Sequence, residues 1–326
     1  APTWRAPITR ALPPPWPDMD FLQRSLDGLL EAGPYALVGL GLTLGFGMLR
    51  RVNLAYGAGA MLGAYLGSWL HVRLGWPALV VLPCVVLATA LAGLYVQWLC
   101  FHDADRSIGT PQRASMTVSG ADAREVVALA SSFAVWMQLE QLCVNLLPRH
   151  LNPFPDFAAT HEWTLGTLGL RPDRLGMCLL AVALVLAMTR WMNKSRTGLA
   201  LRATADHPLA AHLSGLRVPA LQRLGFVLAC GLSGVAACAV LALEGQVTPM
   251  FGMWMLMKGL AAAVIGGLGH LRGVLLGAAL LGVVEAHAQA LLGPLGRDAA
   301  TWGLLLLALL WRARSPASVL PGGLHA

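Results

Sequence analysis

Long uncharged runs dominate the chain, and their lengths set the first expectation. Ala32–Leu49, Val52–Leu70, Leu74–Phe101, Leu175–Thr189 and Leu224–Leu243 contain no Asp, Glu, Lys or Arg. Three further runs extend across an isolated ion: Val126–Leu147 across Glu140, Trp254–Leu271 across Lys258, and Arg272–Leu292 across Glu285. A last, shorter run covers Ala299–Trp311. About 20 apolar residues cross a hydrocarbon core of about 30 Å as a helix. The pattern predicts an all-α polytopic membrane protein of about nine transmembrane segments. The cluster Gly266-Gly267-Leu268-Gly269 interrupts one of them, so glycine-broken or re-entrant helix is expected there. A plain turn between two spans reads equally well. Three regions follow: a Pro-rich tail over 1–27, extended or interfacial with Trp4 and Trp16 at headgroup depth, a membrane domain over 28–314, and a short tail over 315–326. No long apolar run lies before residue 30, so no cleavable signal peptide is expected.

Composition narrows the class further. Of 326 residues, 56% are hydrophobic before 36 glycines are counted, and only 12% are charged. A water-soluble globule of that make-up would expose large apolar patches, which soluble monomers rarely do. Disordered chains are polar and charged, so disorder is excluded for the bulk of the sequence. Six cysteines are too few for a disulfide-stapled module.

The net charge of +7 acquires meaning from its distribution. The connections around 50–51, 102–124, 190–223 and 271–272, with Arg312 and Arg314 ahead of the C-terminal tail, hold 14 Lys/Arg, against eight on the opposite side. By the positive-inside rule the first set faces the cytoplasm, the N-terminus lies outside and the C-terminus inside. The arginines are dispersed between apolar runs, so nucleic acid is not an expected partner.

Three local features can carry function. Gly59, Gly63 and Gly67 recur every fourth residue, and Gly273 and Gly277 repeat the spacing, which lets helix backbones approach closely. That approach serves a pathway or ordinary helix packing alike. Ionisable residues within the apolar runs (Glu140, Glu244, Lys258, Glu285 and His287) are costly in hydrocarbon and turn towards protein or a cavity. Lys258 lies 13 residues before Leu271 and Glu285 lies 13 after Arg272. At about 1.5 Å per residue both sit at one depth, which suggests an ion pair, with separate snorkelling as the alternative. The polar connection 194–223 carries the third feature: Asp206 as an N-cap, Pro208 in the first turn and Gly215 as a stop bracket a short surface helix. Such a helix either docks a partner or rests on anionic headgroups. The sequence has no GxxxxGK[ST] phosphate loop, no HExxH and no CxxC, so neither ATP binding of the P-loop kind nor a metal site is expected of this chain.

Three stretches resemble a known family. YALVGLGLTLGFGMLRRVNLAYGAGAMLGAYLG, SRTGLALRATADHPLAAHLSGL and TPMFGMWMLMKGLAAAVIGGLGHLRGVLLGAALLGVVEA occur in the order found in the permease subunits of branched-chain amino acid ABC importers of the LivH type. The resemblance runs from about Phe21 to Gly322. Ala58 stands where many relatives carry Glu, Thr248-Pro249 replaces Asn-Pro, and His207 follows Asp206 where a second acid is common. The resemblance implies a bacterial inner-membrane subunit that forms half of a pathway for branched-chain amino acids, or for a similar small polar solute such as urea or a short amide. It implies a second, LivM-like permease, two cytoplasmic ATPases that hold ATP and Mg, and an extracytoplasmic solute-binding protein. By motif position it marks Asn53, Tyr56, Gly57, Thr248, Phe251 and Lys258 as pathway residues. It also marks Arg202, Ala203, Asp206, Leu209, Leu213 and Gly215 as the element that couples to the ATPase. Without it, a stand-alone channel or an ion-coupled transporter using Glu140, Glu244 or Glu285 is the competing reading.

Overall fold

The computed structural model describes residues 17–49, 53–106, 118–146, 152–155, 163–165, 168–248 and 250–314. The tails 1–16, with Trp4 and Trp16, and 315–326 lie outside the described residues, as do Arg50, Arg51, the turn 109–111, Arg149 and Pro249. The described chain is almost wholly helical: α1 (Pro17–Leu49), α2 (Ala55–Leu74), α3 (Ala78–Arg106), α4 (Val118–Leu146), α5 (Pro172–Lys194), α6 (Arg196–Asp206), α7 (Pro208–Leu213), α8 (Val218–Glu244), α9 (Phe251–Gly266), α10 (Gly273–Leu292) and α11 (Pro294–Arg314). Among the described residues, six helices are long and apolar enough to cross a membrane: α1, α3, α4, α5, α8 and α10. The glycine-rich α2, the short α9 and α11 pack with them.

One expectation needs correction. Residues 17–27 are not tail but the opening turns of α1, which Pro17 begins at a position where its missing N–H costs nothing. Those turns are held by side-chain contacts: Gln23 Nε2 donates to the Gly169 carbonyl at 2.8 Å, and Phe21 stacks on His287 at 4.5 Å. Short strands lie between α4 and α5. β1 (Asn152–Pro153) pairs antiparallel with β4 (Gln246–Val247), while β2 (Trp163–Leu165) and β3 (Leu168–Leu170) form a hairpin. Ser68 Oγ donates to the Pro153 carbonyl at 2.8 Å and Phe154 is buried, which anchors β1 to α2.

α1 runs through the centre, packed on α5, α8, α9 and α10. Its crossing with α10 is glycine on glycine, since a Cβ on Gly282 would collide with the Gly28 carbonyl. Such close approach supplies dispersion contact where lipid offers no hydrophobic drive between helices. α6 and α7 join the end of α5 to the start of α8, and Gly267 of the α9–α10 turn lies beside Arg312 near the end of α11.

Candidate functional site

Charge gathers in the interior at the end remote from α6 and α7. Lys258 lies midway along α9 and is 3% exposed, and Glu285 on α10 is 1% exposed. Lys258 Nζ donates to Glu285 Oε1 and, at 2.7 Å, to Thr301 Oγ1 of α11, whose hydroxyl in turn donates to Glu285 Oε1. On the other carboxylate oxygen, Tyr35 of α1 donates at 2.9 Å and Arg297 Nε at 3.2 Å. Four donors thus fill about four acceptor positions of one carboxylate. Burying an ion costs several kcal/mol, and attraction offsets that only when such bonds are complete.

The ring extends outward. Arg297 Nη2 donates to the Tyr35 oxygen at 2.6 Å and to Glu31 Oε2 at 3.2 Å, and Arg174 at the start of α5 pairs with Glu31 Oε1 at 3.0 Å. Asp298 Oδ1 stands 3.5 Å from Lys258 Nζ. Lys258, Arg297 and Arg174 balance Glu285, Glu31 and Asp298, so the formal charge of the group is zero. Lys258 Nζ also lies 5.8 Å from the ring centres of both Tyr35 and Trp254, within cation–π range. Sequence reasoning missed Glu31, Tyr35, Arg297 and Thr301 as partners. Their available signal was local: Glu31 and Tyr35, like Arg297 and Thr301, are four apart and therefore share a helix face.

The six residues marked as pathway do not converge on one space. Asn53 and Tyr56 line an apolar cavity of about 60 Å³ with Leu42, Gly45, Phe46, Phe226, Ala229, Leu260 and Leu268. Asn53 Oδ1 accepts from the Ala55 N–H at 3.0 Å, opening α2, and Tyr56 donates to the Val38 carbonyl at 3.3 Å. Gly57 lies against the Gly252 backbone at the α2–α9 crossing, and Phe251 is buried beside it. Thr248 is exposed between β4 and α9. Lys258 borders a different cavity, of about 200 Å³, between α9 and α11.

The marked glycines also separate. A Cβ on Gly63 would collide with Thr89, and one on Gly67 would meet Val85 Cγ2 at 2.5 Å, so both seat α2 on α3. Gly59 has room, with Ala92 Cβ at 3.6 Å. Gly273 and Gly277 set the α9–α10 hairpin, facing the Gly266 and Ala262 carbonyls, and the Gly266–Gly269 cluster supplies its turn. Glu140 on α4 is half-buried, Glu244 at the end of α8 is exposed, and His287 Nε2 lies 3.0 Å from Ser25 Oγ.

At the opposite end, α6 and α7 form an elbow. Asp206 does not cap the short helix: it is the last residue of α6, and the N-cap position of α7 falls to His207, whose side chain makes no capping bond. The reason is Pro208, which disfavours helical backbone in the residue before it and moves the break to His207 (φ −138°, ψ 82°). α6 has its own cap, Ser195 Oγ accepting from the Gly198 N–H at 2.8 Å. Gly215 follows α7 at φ +84°, and the Leu216 N–H reaches back to the Ala211 carbonyl at 3.1 Å. Arg202 Nη1 bonds Asn193 Oδ1 at 2.5 Å, bracing α6 on α5. Ala203, Leu209 and Leu213 are exposed.

A family described as the branched-chain amino acid transport system / permease component matches residues 25–313. The high-affinity branched-chain amino acid transport system permease protein BraD of Pseudomonas aeruginosa is 26% identical over 296 residues, covering 90% of this chain and 94% of its own. LivH of Escherichia coli, a permease protein of the same description, is 26% identical over 302 residues, covering 89% and 93%. The probable branched-chain amino acid transport permease protein LivH of Methanocaldococcus jannaschii is 23% identical over 252 residues, covering 77% and 75%. Among solved structures, PsaBC from Streptococcus pneumoniae in complex with Fab aligns over 89% of this chain and 91% of that one, with 12% identity and a TM-score of 0.48. A match that begins inside α1 and ends one residue short of the close of α11 takes in the whole described bundle: the chain belongs to the permease-component family of branched-chain amino acid transport systems.

Proposed function

We propose that this chain is the membrane subunit of an ATP-driven importer, forming half of the route for branched-chain amino acids or a similarly small polar solute such as urea or a short amide. It pairs with a second, LivM-like permease and takes solute from an extracytoplasmic binding protein. Two cytoplasmic ATPases that hold ATP and Mg power it, and hydrolysis resides there rather than in this chain. Nine segments, α1 to α5 and α8 to α11, cross the bacterial inner membrane, with the N-terminus outside and the C-terminus in the cytoplasm.

One observation carries the reading beyond family membership. Leu209 and Leu213, four residues apart on one face of α7, are 64% and 80% exposed within the basic connection 194–223. Two leucines bared on a short helix suit insertion into a partner's apolar cleft. Closure of ATP-bound partners would then push this elbow and shift the bundle between inward- and outward-open packings.

The test is a reconstituted complex. Solute-loaded binding protein should stimulate its ATPase, and Leu209→Glu with Leu213→Glu should abolish that stimulation and detach the ATPase subunits. Uptake by the isolated chain on an ion gradient, without ATP, would overturn the reading.

A further inference from the structure

The cavity between α9 and α11 combines two kinds of wall. Met250, Met253, Trp254, Met257 and Trp302 form an apolar, polarisable lining, and Lys258, Thr301 and Asp298 form a polar edge. Thioether and indole walls adapt to irregular aliphatic shapes. At about 200 Å³ the space is below the range of about 300–1,000 Å³ typical of drug-sized ligands, so its occupant is small.

The polar edge is asymmetric. Two of the three Lys258 donors are committed, to Glu285 and Thr301, which leaves the third on the side of Asp298. The Lys258–Asp298 separation of 3.5 Å is an ion pair without a hydrogen bond that meets ordinary geometry. The Asp298 side chain is 63% exposed, whereas Glu285 is saturated by four donors. The edge therefore presents one ammonium donor and one open carboxylate side by side. A ligand matching both must carry an anion and a cation a few ångströms apart, lying antiparallel to the Lys258–Asp298 dipole, with an aliphatic remainder against the methionines and indoles.

We propose that this cavity is a transit site for zwitterionic α-amino acids with apolar side chains, in which Asp298 receives the α-ammonium group, Lys258 the α-carboxylate, and Met257 and Trp302 the side chain. The proposal rests on the importer reading and specifies where in this subunit the solute is recognised. Asp298 acts as a specificity residue, since a solute lacking the ammonium group would forgo its charge-assisted bond.

The experiment uses the complete importer in proteoliposomes with labelled leucine, comparing the wild-type chain with Asp298→Asn and, separately, Met257→Trp, which fills the cavity. Assembly of each variant with its partners is checked by size exclusion. Loss of a charge-assisted bond predicts a fall in leucine uptake of about tenfold or more for Asp298→Asn. Asp298→Glu should restore part of it, and Met257→Trp should lower uptake as strongly. Uptake unchanged in both Asp298→Asn and Met257→Trp, with solute-stimulated ATPase normal, would overturn the transit site while leaving the importer intact. A phospholipid retained by the wild-type complex and lost from Met257→Trp, with uptake unaffected, would reassign the cavity to lipid. A wild-type complex whose ATPase ignores the loaded binding protein would instead overturn the importer reading, and the transit site with it.

Discussion

Gly57 of α2 and Gly252 of α9 meet backbone to backbone, each occupying the space that a Cβ on the other would need. A side-chain rotation cannot relieve a Gly57→Ala substitution, because the obstacle is the Gly252 carbonyl. Overpacking of this kind costs about 1–3 kcal/mol. The thermal midpoint of the purified chain in detergent should fall by several degrees. Gly59→Ala is the contrast, since its Cβ would sit 3.6 Å from Ala92 Cβ and alanine is favoured over glycine in a helix by about 0.5–1 kcal/mol. Its midpoint should hold or rise. Equal losses in the two variants would show that helix composition, not the α2–α9 crossing, governs the response.

The buried charges predict an order of stabilities. Glu285→Gln leaves Lys258 with Thr301 and a carboxylate 3.5 Å away, and stranding one partner of a buried pair costs about 3–5 kcal/mol. Lys258→Met is milder, because Arg297 and Tyr35 still hold Glu285. Thermal midpoints should run wild type, then Lys258→Met, then Glu285→Gln. The reverse order would mean that Lys258, not Glu285, is the hub.

Ser195→Ala removes the capping acceptor of α6, a loss of about 0.5–2 kcal/mol. Hydrogen exchange over residues 196–199 should speed up, with little change in α7, whose start is set by Pro208. Unchanged exchange at 196–199 would show that packing on α5 and α8, rather than the cap, holds the first turn of α6.

Gly267 closes the α9–α10 turn at φ +101°, and a Cβ there would lie 3.2 Å from Arg312 Nη2. Backbone strain of this kind costs about 1–3 kcal/mol for a residue with a side chain. Gly267→Ala should make the 267–272 turn more sensitive to limited proteolysis. Resistance equal to wild type would mean that the turn has a second, unstrained conformation.

The six helices long and apolar enough to cross a membrane were legible because span length and absence of charge are properties of single segments. The meeting of Lys258 and Glu285 was legible for a related reason: a helical hairpin has one turn, and counting equal distances from it brings the two residues side by side. What stayed hidden depended on distant neighbours. Arg297 reads as an ordinary charge near a helix start, and only the fold brings it to Tyr35 and Glu31, more than 260 positions away. The break at His207 was misread because an N-cap rule favours Asp206, while the stronger constraint came from Pro208. The opening turns of α1 were misread because prolines before Asp18 suggested a tail, whereas Gln23 and Phe21 are secured by residues 169 and 287.

The Glu285 hub ties α1, α5, α9, α10 and α11 together at one end of the bundle. Sliding α9 or α10 past the rest would strand a buried ion, a barrier well above thermal energy. That end travels as a single block, so any alternation between two openings has its slack elsewhere, where α2 crosses α3 at Gly63 and Gly67 and α3 crosses α8 at Gly93 and Gly234, seams seated on glycine.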